Sequence, residues 1–499
     1  MREFLGQFGF RATTGHLLWA AVLIPACVLL FMQLDLLWLG ITLGVLTLAG
    51  TAFAFQQTMV FPALGTFQEE FGTSTAWTTW VLTGFLVSGA VLTPILGRLG
   101  DQFGKERLLL VSLGLFLAGS LSAAFAWNLG SLIAFRVVSG AGGALFPLSF
   151  AIIRDEFPAD RVKVGIGLLS AVWGVGGGLG IVLSGVIVDN FSWRLLFLLG
   201  SIPVAVSLAL VHRFVPESPI RSPSRVDVPG ALLLSGALIT LMVALTEGER
   251  WGWGSPLLLA VVALSIALFA CWGLVEARSS SPMVDLRMLA HRPILLTNVA
   301  TLIAGFALFS CFVLVPSFVQ SDAGYGFGAT ATQAGLYLLP SSLAMLVAGP
   351  LAGMLGRRYG SKWPLAGGMT VVSAAALLFA FAHDDPAPVL LASALLGLGV
   401  GAAFAAMAGL IADNVDPREM GVAGGMNTVV RMIGGVIGGQ VGAALLTART
   451  IGETSVPAES AFTITFALSA LTALIAAAVA LSIGVRPVRR RLETAEARS

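Results

Sequence analysis

Two arginines occupy positions where a charged side chain is rare, well inside long apolar stretches of the chain. Arg136 lies in the stretch from 130 to 152, and Arg431 lies in the stretch from 420 to 447. If these stretches cross a bilayer, a charge at that depth costs at least about 2.5 kcal/mol and usually has a function. For Arg136 that function would be gating, coupling or binding of an anion, and the alternative is a guanidinium satisfied by backbone carbonyls. For Arg431 the alternative is a structural bond between helices.

Neutral hydrogen-bonding side chains also occur inside the apolar stretches, and Gln56, Gln57 and Asn427 are candidates for contact with a small molecule. Gln56 and Gln57 are adjacent, so on a helix they point in different directions and at most one can face a given cavity. Acidic residues and the four histidines fall at or beyond the ends of the stretches. A clustered acid–base or metal site is therefore not predicted, and we expect no enzyme activity, cofactor or nucleic-acid partner.

About fourteen apolar stretches, each long enough to cross a bilayer, carry these residues. A helix needs about 20 apolar residues to cross a hydrocarbon core of roughly 30 Å, and 57% of the chain is hydrophobic whereas only 11% is charged. We therefore predict an all-α membrane protein with two six-helix bundles and two additional central helices. The predicted divisions are an N-terminal segment (1–36), an N-terminal bundle (37–213), two inserted helices with their loops (214–292), a C-terminal bundle (293–485) and a basic tail (486–499).

Lys and Arg are concentrated in alternate loops, and this pattern predicts the orientation of the helices. By the positive-inside rule these loops and the C-terminal tail lie in the cytoplasm, and we expect a multi-pass protein of the cell (inner) membrane. The run from Leu17 to Leu34 precedes the first assigned helix. It forms either an additional transmembrane helix, which its uniformly apolar composition favours, or a segment lying in the membrane interface.

The two bundles carry the same short pattern at the end of their second helix. The sequence reads P-I-L-G-R-L-G-D-Q-F-G-K from Pro94 and P-L-A-G-M-L-G-R-R-Y-G-S from Pro350, with coinciding proline, leucine and glycines. A parallel repeat of six-helix bundles is one way in which membrane transporters build a central site between two halves. The glycines allow close approach to a neighbouring helix, and Asp101 can complement a helix N-terminus.

With these motifs the chain resembles the major facilitator superfamily, and within it the branch of fourteen-helix drug:proton antiporters. The stretch G-R-L-G-D-Q-F-G-K-E-R resembles the family's loop signature, and it implies a conformational gate formed by Gly97, Arg98, Gly100, Asp101, Gly104, Lys105 and Arg107. The stretch R-V-V-S-G-A-G-G from Arg136 is similar to the family's second signature, whose arginine is implicated in proton coupling. The resemblance thus implies that Asp101 helps to latch one conformational state and that Arg136 takes part in coupling.

Two departures from the family pattern bear on the chemistry. The branch commonly has an Asp in its first helix, where this chain reads F-Q-Q-T-M-V-F-P with Gln56 and Gln57. The fifth helix lacks the proline of the antiporter signature, and its glycines, including Gly174, Gly180 and Gly185, are interpreted as sites of close helix packing. A buried carboxylate for proton coupling is not visible in the sequence.

The function expected from these features is secondary active export of hydrophobic or amphipathic small molecules by alternating access. Proton antiport is implied by the resemblance, and neutral or anionic substrates are favoured because the predicted interior holds arginines but no acid. The predicted substrate or coupling residues are Arg136, Arg431, Gln56, Gln57 and Asn427, and the expected partners are the substrate, protons and membrane lipids. The alternatives are an uncoupled facilitator or lipid-moving transporter of the same fold, and a membrane sensor that does not transport.

Overall fold

The computed structural model describes residues 37–484 apart from 61, 74, 219–226, 280–281, 322–323 and 452–455. This part of the chain forms seventeen α-helices and two short 3₁₀ helices, without a β-strand. The α-helices are α1 (Leu37–Thr58), α2 (Leu64–Phe71), α3 (Thr75–Phe103), α4 (Lys105–Ala124), α5 (Leu129–Ser139), α6 (Leu145–Glu156), α7 (Val162–Asn190), α8 (Arg194–Phe214), α9 (Val228–Trp251), α10 (Pro256–Arg278), α11 (Leu286–Ala290), α12 (Arg292–Gln320), α13 (Ala331–Tyr359), α14 (Lys362–Phe381), α15 (Pro386–Asn414), α16 (Met420–Ala448) and α17 (Glu459–Leu481).

The described chain has fourteen helical spans that are long and apolar enough to cross a membrane, where α5 and α6 form one span interrupted by a 3₁₀ turn. The short helices α2 and α11 are not among them. The predicted all-α membrane fold is therefore confirmed. The run from Leu17 to Leu34 and the basic tail (486–499) lie outside the described residues.

Each six-helix bundle has a hydrophobic core, and that of the N-terminal bundle continues across the seam to residues such as Met420 and Met432. In the N-terminal bundle α1 packs against α7 and α8, and α4 packs against α8, around buried residues such as Phe53 and Phe116. In the C-terminal bundle α12 packs against α16 and α17, α13 against α15, and α14 against α15 and α17. Phe379 and Phe466 stack within that second core, with ring centres 5.2 Å apart.

The two bundles meet along two seams. At one seam α7 packs against α13, and at the other α3 packs against α16. The inserted helix α9 contacts both α3 and α16, whereas α10 packs mainly against α9. The inserted pair therefore lies beside the seam between α3 and α16, and it does not separate the bundles.

Local sequence explains where several helices begin and break. Asn128 and Thr330 start α5 and α13 with capping boxes, in which the side chain of this residue and the side chain three residues later each accept a hydrogen bond from the other residue's backbone N–H. The segment G-A-G-G-A between α5 and α6 forms a 3₁₀ turn, since glycine is a weak helix former. Arg136 lies in the last turn of α5, directly before this irregular segment.

The two ends of the bundle differ in the turns that they carry. We call the end at which α1 begins the arginine-rich end, and it holds the turns after α3, α6, α13 and α15. The opposite end holds the turns after α1, α7, α12, α14 and α16. These names are used below to locate the site.

Candidate functional site

A cavity of about 310 Å³ lies between the two bundles. Its walls come from α1 and α7 on one side and from α12 and α13 on the other. Pro62 and Gln320, at the ends of α1 and α12, border the cavity, which places it toward the opposite end of the molecule. The described lining residues are Gln57, Thr58, Pro62, Leu64, Gly174, Gly177, Gly178, Ile181, Phe309, Val313, Pro316, Ser317, Gln320, Ala334, Leu338, Ser341, Ser342 and Met345.

The cavity is apolar with a few neutral polar groups, and no ionisable side chain occurs among its described lining residues. Several of these polar groups already have internal partners. The Thr58 hydroxyl donates to the Gly177 carbonyl at 2.8 Å, and the Ser341 hydroxyl donates to the carbonyl of Leu338 at 2.8 Å. The Oε1 atom of Gln57, by contrast, is buried and has no hydrogen-bond partner in the described structure. Gln57 is thus the lining residue with an unused hydrogen-bond acceptor, although this atom is not exposed to the cavity in the present conformation.

Gln56 points away from the cavity, into the N-terminal bundle. Its Oε1 accepts a hydrogen bond from the Ser120 hydroxyl of α4, and its side chain packs against Gly200 of α8. The two adjacent glutamines therefore belong to different environments, because consecutive residues of a helix point about 100° apart. Of the pair, the structure brings only Gln57 to the cavity.

Arg136 is fully buried inside the N-terminal bundle and does not line the cavity. Its Nε donates to the carbonyl of Val81 at 3.3 Å, and its guanidinium lies over the Phe85 ring at 4.2 Å from the ring centre. The Nη1 and Nη2 atoms have no hydrogen-bond partner in the described structure. The alternative given for Arg136, a guanidinium satisfied by backbone carbonyls, is thus met for one of its three nitrogens.

Arg431 and Asn427 both lie on α16, one helical turn apart. The Arg431 guanidinium lies over the ring of Phe404 on α15, 4.5 Å from its centre, and the residue is absent from the described cavity lining. The Asn427 amide donates to Asn298 and to Thr301 of α12, each at 2.9 Å. Asn427 therefore bonds two helices of the C-terminal bundle together.

Asp101 connects the two bundles at the arginine-rich end. Its fully buried carboxylate accepts hydrogen bonds from the backbone N–H groups of Gly421 at 3.1 Å and Val422 at 3.0 Å. These groups belong to the first turn of α16, where N–H groups lack helical partners and the helix dipole favours a negative charge. The contact that the sequence allowed between Asp101 and a helix N-terminus is therefore present, and it closes the α3–α16 seam.

The repeated glycine motif makes the same kind of contact in both bundles. A Cβ atom on Gly97 would lie 2.5 Å from the carbonyl oxygen of Gly421, and one on Gly353 would lie 2.4 Å from that of Lys163. Both distances are shorter than a van der Waals contact, so only glycine allows the helices to approach this closely. The motif therefore closes both seams at the arginine-rich end, although only the N-terminal copy has an acidic residue.

The other residues of the predicted gate surround Asp101. Lys105 is fully buried, pairs with Asp155 and donates to the Pro417 carbonyl at 3.4 Å, so it too links the N-terminal bundle to the loop before α16. Arg98 is buried, whereas Arg107 is exposed and lies 3.6 Å from Glu217. A Cβ on Gly100 would meet Leu148 at 2.4 Å, and Gly104 joins α3 to α4 with a φ of 123°.

The second seam is closed by a different set of charges. The Lys163 ammonium lies 2.8 Å from the Asp413 carboxylate of α15 and donates to the Gly356 carbonyl of α13 at 3.1 Å. Arg357 contacts the carbonyl of Asp160 at 3.5 Å. Helices α7, α13 and α15 are therefore tied together at the arginine-rich end, on the side away from Asp101.

The three glycines of α7 that were predicted to pack closely each face a different neighbour. Added Cβ atoms would meet Met345 at 2.5 Å from Gly174, Thr58 at 2.2 Å from Gly180 and Thr332 at 2.9 Å from Gly185. Gly174 and Gly185 thus face α13 across the seam, while Gly180 faces α1 within the N-terminal bundle. Near Gly185, Thr332 donates a 2.9 Å hydrogen bond to Asp189, so this seam is in contact at the opposite end as well.

Sequence reasoning missed the serines of the cavity and the charges of the second seam. Ser317 follows Pro316, and Ser341 and Ser342 follow Pro340. A proline inside an apolar helix leaves a carbonyl without its usual partner, and a serine directly after it is a polar group at the same depth. That pairing could have indicated the cavity, whereas Lys163 and Asp413 carry no local signal because their partners are distant in the chain.

Two tandem six-helix bundles, a cavity between them and contacts that close one end together define a membrane transport protein. The family model of the Major Facilitator Superfamily matches residues 46–339 and 299–499. The chain therefore belongs to the major facilitator superfamily, and the predicted membership is confirmed.

Curated relatives carry resistance and export names. The chain is 28% identical over 417 residues to the tetracenomycin C resistance and export protein of Streptomyces glaucescens, covering 82% of this chain and 76% of the relative. It is 30% identical over 417 residues to a multidrug resistance protein B homolog of Mycobacterium tuberculosis, covering 81% and 76%. The crystal structure of the human organic anion transporter MFSD10 (TETRAN) is similar in fold, with a TM-score of 0.65, 17% identity and coverage of 88% of this chain and 99% of that one.

Proposed function

We propose that this protein exports small, largely apolar molecules across the cell membrane by alternating access. The observation that carries the proposal is that both bundles line the cavity while Asp101 and Lys163 hold the arginine-rich end closed. With the arginine-rich end in the cytoplasm, as the positive-inside rule implies, this is a conformation in which the cavity lies toward the outside. Release of the two seams would open the cavity to the cytoplasm.

The lining of the cavity supports neutral substrates. Because its described residues include no acid and no base, a charged molecule would lose its hydration without gaining a counter-charge there. The unpaired Oε1 of Gln57 adds one acceptor in an apolar surrounding, which suits a substrate with a hydroxyl or N–H group. Neutral molecules are therefore favoured over anionic ones, since Arg136 and Arg431 are both outside the described lining.

For the driving force we propose proton antiport with Arg136 in the coupling role. The support is the similarity of the stretch from Arg136 to the family's second signature, together with relatives that are named for drug resistance and export. Arg136 also has two buried nitrogens without hydrogen-bond partners in the described structure, so its charge is only partly compensated there.

One observation favours a second candidate, an uncoupled facilitator or lipid-moving transporter of the same fold. Gln56 and Gln57 stand where the branch commonly has an acid, and the described cavity lining offers no carboxylate that could carry a proton. A facilitator would use the same cavity and gates without a proton cycle.

Transport by the purified full chain in proteoliposomes separates these candidates. We would follow Nile red, a neutral lipophilic dye, with and without an imposed pH gradient, and compare competition by a lipophilic cation and a lipophilic anion. Faster dye movement that depends on the gradient and is abolished by a protonophore is the expected result. Movement of dye that ignores the gradient would favour the facilitator, and no movement of dye or competitors would contradict the transport proposal.

A further inference from the structure

His383 lies in the turn after α14, at the opposite end of the molecule, and is 6% exposed. Its Nδ1 lies 2.9 Å from the carbonyl oxygen of Phe379, and its Nε2 lies 2.9 Å from a carboxylate oxygen of Glu459. A carbonyl and a carboxylate are both acceptors, so both ring nitrogens need a hydrogen to make these contacts. A neutral imidazole carries only one, so both contacts are hydrogen bonds only when the pair of His383 and Glu459 holds one further proton.

The positions of the two residues on their helices suit the charged form of the pair. Phe379 belongs to the last turn of α14, and Glu459 is the first residue of α17. A helix favours positive charge at its C-terminus and negative charge at its N-terminus. An imidazolium at the end of α14 and a carboxylate at the start of α17 are both stabilised in this way.

The other groups around His383 are uncharged or directed to solvent. The ring of Phe318 on α12 packs edge-on against the imidazole, with centres 5.0 Å apart. The ring of Tyr325 packs on the other side of this contact, against Phe318, and its hydroxyl donates to the Pro457 carbonyl at 2.7 Å. Asp384 and Asp385, in the same turn as His383, are exposed. In the described structure Glu459 is thus the charged group that meets the imidazole.

The contact with Phe318 connects the pair to the cavity. Phe318 is buried on one face of α12, against His383 and Phe462, whereas Pro316, Ser317 and Gln320 on the same turns line the cavity. A change in the His383 contact therefore alters the support of the helical segment that forms one wall of the cavity. The segment is also the part of α12 that contains a proline, where a helix bends most easily.

We propose that His383 and Glu459 form a proton-binding site whose proton holds the outer end of α12 in the position seen here. The effect on the cavity rests on the proposed transport function. The existence of the proton-binding site does not depend on it. With the proposed orientation the site faces the outer compartment, from which an antiporter takes its protons. Loss of the proton removes one of the two imidazole hydrogen bonds, loosens Phe318 and frees the cavity wall to move.

The first experiment tests the site without transport. Thermal unfolding of the purified full chain would be measured at about pH 6 and about pH 8.5 for the wild type, His383→Gln and Glu459→Gln, with His291→Gln as the control at the arginine-rich end. The proposed proton would add the second imidazole hydrogen bond to the folded protein at the lower pH and not at the higher pH. We expect the wild type to melt about 2 °C above His383→Gln and Glu459→Gln at the lower pH and level with them at the higher pH. Equal melting differences at both pH values would overturn the proton site.

The second experiment tests the effect on the cavity. Nile red transport in proteoliposomes would be followed while the pH of the compartment that faces the opposite end is varied over the same range. The transport rates of the wild type and of His291→Gln should change by about threefold or more over this pH range. The transport rates of His383→Gln and Glu459→Gln should not depend on pH. If His383→Gln and Glu459→Gln showed the same pH dependence of transport as the wild type, the proposed coupling between the pair and α12 would be wrong. Absence of transport in every protein would contradict the proposed function, while the melting experiment would still decide the site.

Discussion

The carboxylate of Asp101 accepts a hydrogen bond of 3.1 Å from the backbone N–H of Gly421, although 320 residues separate the two in the chain. Each residue belongs to a different bundle, and each lies beside the closest approach of α3 and α16, where Gly97 meets Gly421. The contact combines a charge, a helix N-terminus and a pair of glycines in one place. It makes the arginine-rich end of the α3–α16 seam sensitive to single substitutions.

Replacement of Asp101 by Ala should shift the protein toward a conformation with an open arginine-rich end. Hydrogen bonds to a charged group contribute about 1.5–3 kcal/mol, so the open fraction should rise about tenfold or more. Spin labels at the exposed positions 107 and 418 would report the separation of the bundles as the distance between the two labels, measured by pulsed electron–electron double resonance. Asp160→Ala, which removes an exposed acid at the same end, is the matched control. Unchanged distances in Asp101→Ala would show that the carboxylate does not hold the seam.

A methyl group on Gly97 should prevent the same seam from closing. The added Cβ would lie 2.5 Å from a backbone oxygen, which cannot move aside as a flexible side chain can, and overpacking of this kind costs about 1–3 kcal/mol. We expect Gly97→Ala to reduce the transport rate at least about fivefold and to widen the label distances. Gly114→Ala, on α4 where an added Cβ meets nothing within 4 Å, should behave as the wild type. Equal activity in the two variants would contradict the role of close packing.

The adjacent glutamines should respond differently to the same substitution. Gln57→Leu removes the unpaired acceptor from the cavity, so the KM for a substrate with a hydrogen-bond donor should rise about 2- to 10-fold with little change in melting temperature. Gln56→Leu removes the bond to Ser120 inside the N-terminal bundle, and it should lower the melting temperature with little change in KM. Steady-state transport and thermal unfolding of both variants check this. The reverse pattern would mean that Gln56 and not Gln57 meets the substrate.

Lys163 and Asp413 should show a measurable interaction in a double-mutant cycle. Their side chains are 17% and 28% exposed and their charged atoms lie 2.8 Å apart, so the pair is partly screened by solvent. We expect a coupling free energy of about 1 kcal/mol between Lys163→Met and Asp413→Asn, read from the fraction of molecules with a closed arginine-rich end. The charge-exchanged protein, Lys163→Asp with Asp413→Lys, should recover part of the closed fraction. Additive single effects without recovery would indicate that the two charges act independently.

Much of the fold could be predicted from local patterns. The fourteen spans follow from the length and hydrophobicity of each stretch, and the two bundles follow from the motif repeated at Pro94 and Pro350. The Asp101 contact with a helix N-terminus was also accessible, since it needs only a carboxylate at a helix end and a glycine motif that allows close approach. These features depend on the composition of a short segment.

The sequence by itself determined that the chain crosses a membrane many times, that its halves repeat, and that Arg136 and Arg431 lie at the depth of the spans. Only the tertiary structure decided that both arginines lie outside the described cavity lining, that Gln57 and not Gln56 reaches the cavity, and that His383 meets Glu459. The reason is physical: the period of a helix sets where a side chain points relative to its own axis. The atoms that the side chain meets depend on how distant helices pack, and no local pattern contains that information.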